Sequence, residues 1–122
     1  MAVHETELSR MLRLCAERGL TEVSESTSYG APSLKVKSKN FASVRGPNEM
    51  VLHCPLEQKD LLMEMAPDIY WQTDHFKGWP GLLVRMEIIT DEELGLRLED
   101  AWRFRAPKRL QQSYAEARVA RA

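Results

Sequence analysis

The stretch from Leu34 to Cys54, LKVKSKNFASVRGPNEMVLHC, decides the fold. Its front, Leu34–Lys37, alternates apolar and charged residues, as a half-buried strand does. Ser38-Lys39-Asn40 reads as a tight turn, because asparagine tolerates a left-handed backbone. Phe41–Arg45 returns as the partner strand, Gly46-Pro47-Asn48 turns the chain again, and Met50–Cys54 makes a third strand. The three form an antiparallel meander. Just before it, Gly30, Ala31 and Pro32 read as a loop.

Helical periodicity returns on both sides of this meander. Upstream, residues 5–18 place Leu8, Met11, Leu12 and Cys15 on one face, with Thr6 as N-cap and Gly19 as the stop. Downstream, Pro55 opens a helix over Leu56–Met65, where its missing N–H costs nothing. Leu61, Leu62 and Met65 form the apolar stripe of that helix, and Pro67 ends it. Residues 68–81 are the least regular part, and Leu82–Ile89 reads as a further strand. Thr90 caps a helix that opens on Asp91, Glu92 and Glu93, where the helix dipole favours acids. It continues through Leu94, Leu98, Ala101 and Trp102 and breaks at Pro107. A last helix runs from Lys108 toward a frayed end. The class predicted is α+β: an antiparallel sheet with an N-terminal helix, a short middle helix and C-terminal helices packed on it. One domain fills residues 1–122, with its core over about 5–112.

The 122 residues can bury a core without disulfide or metal staples, and at 43% hydrophobic the chain is too apolar to be disordered. No apolar run approaches the ~18 residues of a membrane span. The opening MAVHETELSR lacks the apolar core of a signal peptide. A cytoplasmic protein with no membrane partner is expected. Cys15 and Cys54 lack CxxC spacing and read as reduced structural thiols.

Seventeen Lys+Arg against 18 Asp+Glu give a net charge of −1. That sum conceals a polarity: +2 over residues 1–45, −8 over 46–100 and +5 over 101–122. Residues 31–45 hold Lys35, Lys37, Lys39 and Arg45 and no acid. Arg103, Lys108 and Arg109 follow on the C-terminal helices. Two readings compete. In one, these are solvated cations, the hairpin lysines blunting an exposed edge. In the other, the hairpin and the C-terminal helix lay cations along a phosphate backbone.

A second candidate is the segment 70–81, which holds Tyr70, Trp71, Phe76 and Trp79, four of the nine aromatics. Gly78, Pro80 and Gly81 beside them suggest a shaped loop, and loops often carry function. Phe76 and Trp79 form a contact surface, with Asp74, His75 and Lys77 as polar handles, for a protein or a small ligand. The competing reading is that the aromatics pin a crossover onto the sheet.

Catalytic and metal patterns are absent. His4, His53 and His75 are scattered, and no zinc spacing exists. There is no GxGxxG, GxxxxGK[ST] or GxSxG. Ser24, Ser26 and Ser28 do not define a triad with His53 or His75 without geometry. The expectation is a non-enzymatic binding module with no catalytic residues, no metal and no cofactor, Asp74 and His75 being the least poor candidates for chemistry.

Several strings, in order, resemble the MmcQ/YjbR family. They are Tyr29-Gly30-x-Pro32-Ser33-Leu34-Lys35-Val36, Lys39-x-Phe41-Ala42 and Leu52-x-Cys54-Pro55. Further on come Tyr70-x-x-Thr73-x-His75-Phe76-x-Gly78-x-Pro80, Leu83-Val84-Arg85, Asp100-Ala101-Trp102-Arg103 and Ala106-Pro107-Lys108. The similarity covers roughly residues 8–112. It implies a curved antiparallel sheet with helices packed on it, similar to the double-wing arrangement of a phage transcription activator's C-terminal domain. It also implies DNA as a partner, and it carries over no catalytic residues. Fold likeness alone does not fix function.

Overall fold

Thr6 opens the first helix, its hydroxyl accepting the N–H of Ser9 at 3.0 Å. The structure, a computed structural model, describes residues 5–121. His4 lies outside them. Helix α1 (Glu7–Glu17) buries Met11, Leu14 and Cys15. It ends at Gly19, whose φ of +72° lets Leu20 N–H reach back to the carbonyl of Cys15 at 3.1 Å.

The meander has four strands: β1 (Val23–Ser28), β2 (Ala31–Val36), β3 (Lys39–Gly46) and β4 (Glu49–His53). Three details differ from the sequence reading. Ala31 and Pro32 belong to β2, and the turn before them is Tyr29-Gly30, both at positive φ. Pro32 is tolerated because β3 pairs with β2 only from Ser33 onward. The β2–β3 turn is Lys37-Ser38, and Lys39 already pairs with Val36. A bulge there sets Lys35 opposite Asn40 and Leu34 opposite Ala42. Phe41 is the extra residue, so two consecutive apolar side chains, Phe41 and Ala42, are both fully buried.

After β4 come α2 (Leu56–Met65), a short β5 (Tyr70–Trp71), a one-turn 3-10 helix at Asp74–Phe76, and β6 (Gly81–Arg85). Helix α2 does not turn the expected stripe inward. Leu62 is buried, while Leu61 and Met65 are exposed and Lys59 takes the inward position. Strand β6 stops at Arg85 rather than Ile89. The Arg10 guanidinium donates to the carbonyls of Met86 (2.5 Å) and Ile89 (2.8 Å) and holds the chain in a turn there. Helix α3 (Asp91–Arg105) is capped by the Thr90 hydroxyl, and α4 (Lys108–Arg121) follows Pro107.

All strand pairs are antiparallel, in the order β1-β2-β3-β4-β6-β5. One sheet face carries Leu34, Ala42, Met50, Leu52, Leu82 and Val84 into a single core with α1 and α3. Trp102 sits fully buried in it and donates from Nε1 to the carbonyl of Thr21 at 2.9 Å. Packing continues past residue 112. Tyr114 is buried, and its hydroxyl donates to Glu99 at 2.7 Å. Arg18 (3.0 Å) and Arg118 (2.6 Å) pair with the same Glu99 oxygen, tying α1 and α4 to α3. No helix of the described residues is long and apolar enough to cross a membrane.

Candidate binding site on the open face of the sheet

Strand alternation that sends Leu34 and Leu82 to the core sends their neighbours to the other face. There Ser26, Ser33, Ser43, Val51, Leu83 and Trp71 stand in one cross-strand row, polar at β1 and apolar at β5. Leu83 is fully buried yet lies outside the main core, because the segment after β5 folds over this end.

Lys59 holds that segment in place. It is 2% exposed, and its Nζ donates to the carbonyls of Phe76 (2.6 Å) and Trp79 (2.8 Å). Burial lowers its proton affinity. Gly78 adopts a φ of +76° at the turn. The Trp79 indole then lies over Gly81, where a Cβ would sit 2.0 Å from the ring. Gly81 pairs with His53 on β4, so indole and imidazole meet edge to face at 4.8 Å. Phe76 stands 5.5 Å from Trp79, and the Arg45 guanidinium 5.9 Å from Phe76. The result is a ladder: Arg45, Phe76, Trp79, His53.

Beside it the sheet is hollowed into a groove with two contiguous parts, of about 520 and 530 Å³. Both are bordered by Ser28, Tyr29, Ser43 and Val51. The first adds Asn40 and the imidazole and indole rings; the second adds Arg45 and Pro32. No Asp or Glu lines either part, in a chain with 18 of them. Tyr29 overhangs the junction, fully exposed and at a φ of +51°, a strained backbone for a bulky residue.

The electrostatics favour neutral or anionic occupants. Burial, with the positive charge of Arg105 in support, pushes the His53 imidazole down to about 4, so it is neutral at physiological pH. Neither His53 nor His75 is hydrogen-bonded to a serine or carboxylate among the described residues, and no nucleophile–base pair is assembled. Burial pushes the thiols of Cys15 and Cys54 up to about 12 and 11, leaving them protonated and poorly nucleophilic. The described residues contain no cluster of three or more metal-ligating side chains.

The candidate residues from the sequence separate into two groups. His75, Phe76 and Trp79 border the groove, with Trp79 37% exposed. Asp74 and Lys77 pair with each other at 3.1 Å and do not border it. Among the cations, Lys37 and Lys39 flank the β2–β3 tip, with Lys35 nearby on the open face. Arg105 donates to the carbonyl of Asn40 at 2.9 Å, bringing the junction that precedes Lys108 and Arg109 to the same tip. Arg45 is at the other end of β3, paired with Glu49 at 3.2 Å. Lys37 pairs with Glu22 at 3.6 Å. Arg103 is turned to Glu99 (3.7 Å) and the Tyr114 ring.

Sequence reasoning missed Tyr29, Asn40, Ser43, His53 and Lys59 as parts of one site. The alternation of Ser43, Arg45, Val51 and His53 opposite the core residues carries that signal once register is known.

A family model, YjbR, matches residues 18–104. Among curated proteins, an uncharacterized protein of Mycobacterium bovis and one of Mycobacterium tuberculosis are each 38% identical over 56 residues. The match covers 46% of this chain and 43% of each relative's length. No solved structure matches the chain significantly.

Proposed function

The chain belongs to the YjbR family, and from that premise we propose a binding module whose working surface is the groove between the open sheet face and the aromatic loop. The observation that carries this reading is that Phe76 and Trp79 border a concavity instead of being consumed as core. Trp79 is 37% exposed and Phe76 half-buried, so part of each ring is left to the groove. A groove of several hundred Å³ with aromatic walls and a few polar groups is the usual form of a small-molecule site. The lack of acidic residues along it supports a neutral or anionic ligand. The test is an NMR shift map with planar aromatic fragments of either charge. Shifts clustered at Ser43, Val51, His53 and Trp79 support the reading. Shifts scattered over the surface, or none, refute it.

A second reading, duplex DNA as partner, rests on the convergence of Lys37, Lys39 and the α3–α4 junction at one hairpin tip. Lys35, Lys39, Lys108 and Arg109 form no ion pair among the described residues and are the cations available to phosphates. Such binding weakens steeply with salt, the slope rising with each phosphate neutralised. Titration of a labelled duplex at two salt concentrations tests it. An affinity that does not change with salt, or no binding at low salt, refutes it.

A further inference from the structure

The two parts of the groove differ in chemistry, and the difference specifies a ligand with two ends. The first part is bordered by the contacting rings of Trp79 and His53, with the polar side chains of Asn40 and Ser43 also lining it. Asn40, which lines this part, accepts from Ser33 through Oδ1 at 3.4 Å, so its amide N–H groups have no partner among the described residues. The Ser43 hydroxyl is beside it, and neutral imidazole offers both a donor and an acceptor. A plain phenyl ring would leave these groups unpaired, at a cost for each one that loses water. A heteroaromatic ring with donors and acceptors on its edge would pair them.

The second part has one charged wall, Arg45. Its guanidinium gives one contact to Glu49 and has further N–H donors to offer. The ladder Arg45–Phe76–Trp79 links this cation to the ring walls in two steps of 5.9 and 5.5 Å. Tyr29, fully exposed, borders both parts.

We propose that the groove takes an unpaired nucleobase together with its 5′-phosphate, the base against Trp79 with its edge on Asn40, Ser43 and His53, the phosphate on Arg45. This rests on the groove reading above and narrows it to one ligand class. A free nucleotide and a single-stranded nucleic acid both present that chemistry.

The test is calorimetric titration, with an NMR shift map, of the full chain. The probes are adenosine monophosphate, adenosine, ribose 5-phosphate, a short single-stranded oligoadenylate and the corresponding duplex. The expected result is that the monophosphate binds more tightly than adenosine or ribose 5-phosphate. Trp79→Ala and Arg45→Met should each weaken it by about tenfold or more, given the usual worth of base–aromatic stacking and of charged contacts. Both positions are exposed at the surface, so both variants should fold, and their amide spectra check that. Single strand bound far more tightly than the monophosphate assigns the ligand to nucleic acid; equal affinities assign it to free nucleotide. No binding of any unpaired nucleotide, or affinities unchanged in both variants, overturns the proposal. If aromatic anions without a base, such as a naphthalenesulfonate, shift Trp79 and His53 while nucleotides do not, the ligand class falls and the groove stands. If neither shifts them, both fall.

Discussion

Replacing His53 should remove a specific part of the protein's sensitivity to acid. The ring is half-buried between Trp79 and the charge of Arg105, and burial is the larger cause of its depressed affinity for a proton. Its value falls from about 6.5 in the unfolded chain to about 4 in the fold. Between those two values the unfolded state holds a proton that the folded state does not. Stability therefore rises with pH through that window and is lost as pH falls from 6.5 toward 4. Each unit of difference is worth about 1.4 kcal/mol, so the loss amounts to about 2 kcal/mol by pH 5 and about 3 kcal/mol near pH 4. His53→Gln keeps a polar side chain and has nothing to titrate. Urea unfolding of both proteins at pH 7.5 and pH 5 isolates the effect. The wild-type midpoint should fall by about 1 M more than that of the variant. Carboxylates do not confuse the comparison, since they are common to both proteins. Glu5 and Asp91 are also held below their ordinary range by hydrogen bonds from Arg13, so they act at lower pH. Equal losses in the two proteins, or an NMR titration of His53 near its ordinary value, would refute the reasoning.

Other perturbations test the supports of the site. Lys59→Met leaves the carbonyls of Phe76 and Trp79 with only the backbone N–H groups of Trp79 and Gly81 as donors, and should cost about 1–3 kcal/mol by urea unfolding while speeding hydrogen exchange over residues 76–81. Unchanged exchange there would remove Lys59 as the strut. Gly81→Ala should expel the Trp79 indole from the sheet, seen as loss of the ring-current shifts on His53 and Gly81 neighbours, because the added Cβ overlaps the ring. Retained ring-current shifts would contradict the placement. Burial alone would raise the Glu99 carboxyl, but hydrogen bonds from Tyr114 and Arg18 hold it below its ordinary range. Glu99→Gln should thus cost about 1–3 kcal/mol and loosen α4, measured by thermal unfolding and by exchange at Tyr114. A variant as stable as the wild type would show that the cluster contributes nothing net.

Much of the fold is legible because local signals and burial agree. Thr6 and Thr90 cap, Gly19 stops, Pro55 and Pro107 punctuate, and the helices follow. Where they disagree, tertiary structure decides. Lys37 takes the left-handed turn position that the sequence assigns to Asn40, because pairing Lys39 with Val36 lets the bulge bury both Phe41 and Ala42. Lys59 takes the inner face of α2 in place of Leu61 and Met65, where its ammonium adds a second donor to two loop carbonyls that each already accept one backbone N–H. Nothing within residues 56–65 announces those carbonyls, which arrive from residues 76 and 79. The same holds for the site. The aromatic loop stands out by composition, and Phe76, Trp79 and His75 were legible from it. Its opposite wall, Tyr29, Asn40, Ser43 and His53, comes from the β1–β2 turn and strands β3 and β4 and depends on cross-strand register. The basic residues show the reverse. They cluster in sequence, yet Arg45 and Lys37 are paired with acids and Arg103 is turned to the α3–α4 contact.

The three tryptophans allow the central claim to be tested in one spectrum. With 5-fluorotryptophan incorporated, Trp102 reports the core, Trp71 the covered end of the open face, and Trp79 the groove. Trp79→Phe identifies its resonance. Adenosine monophosphate and a naphthalenesulfonate are then titrated in turn. The expected result is a saturable shift of the Trp79 signal with at least one of them, and no shift of Trp102. A Trp79 signal that stays fixed with both would contradict the assignment of this groove as the binding site.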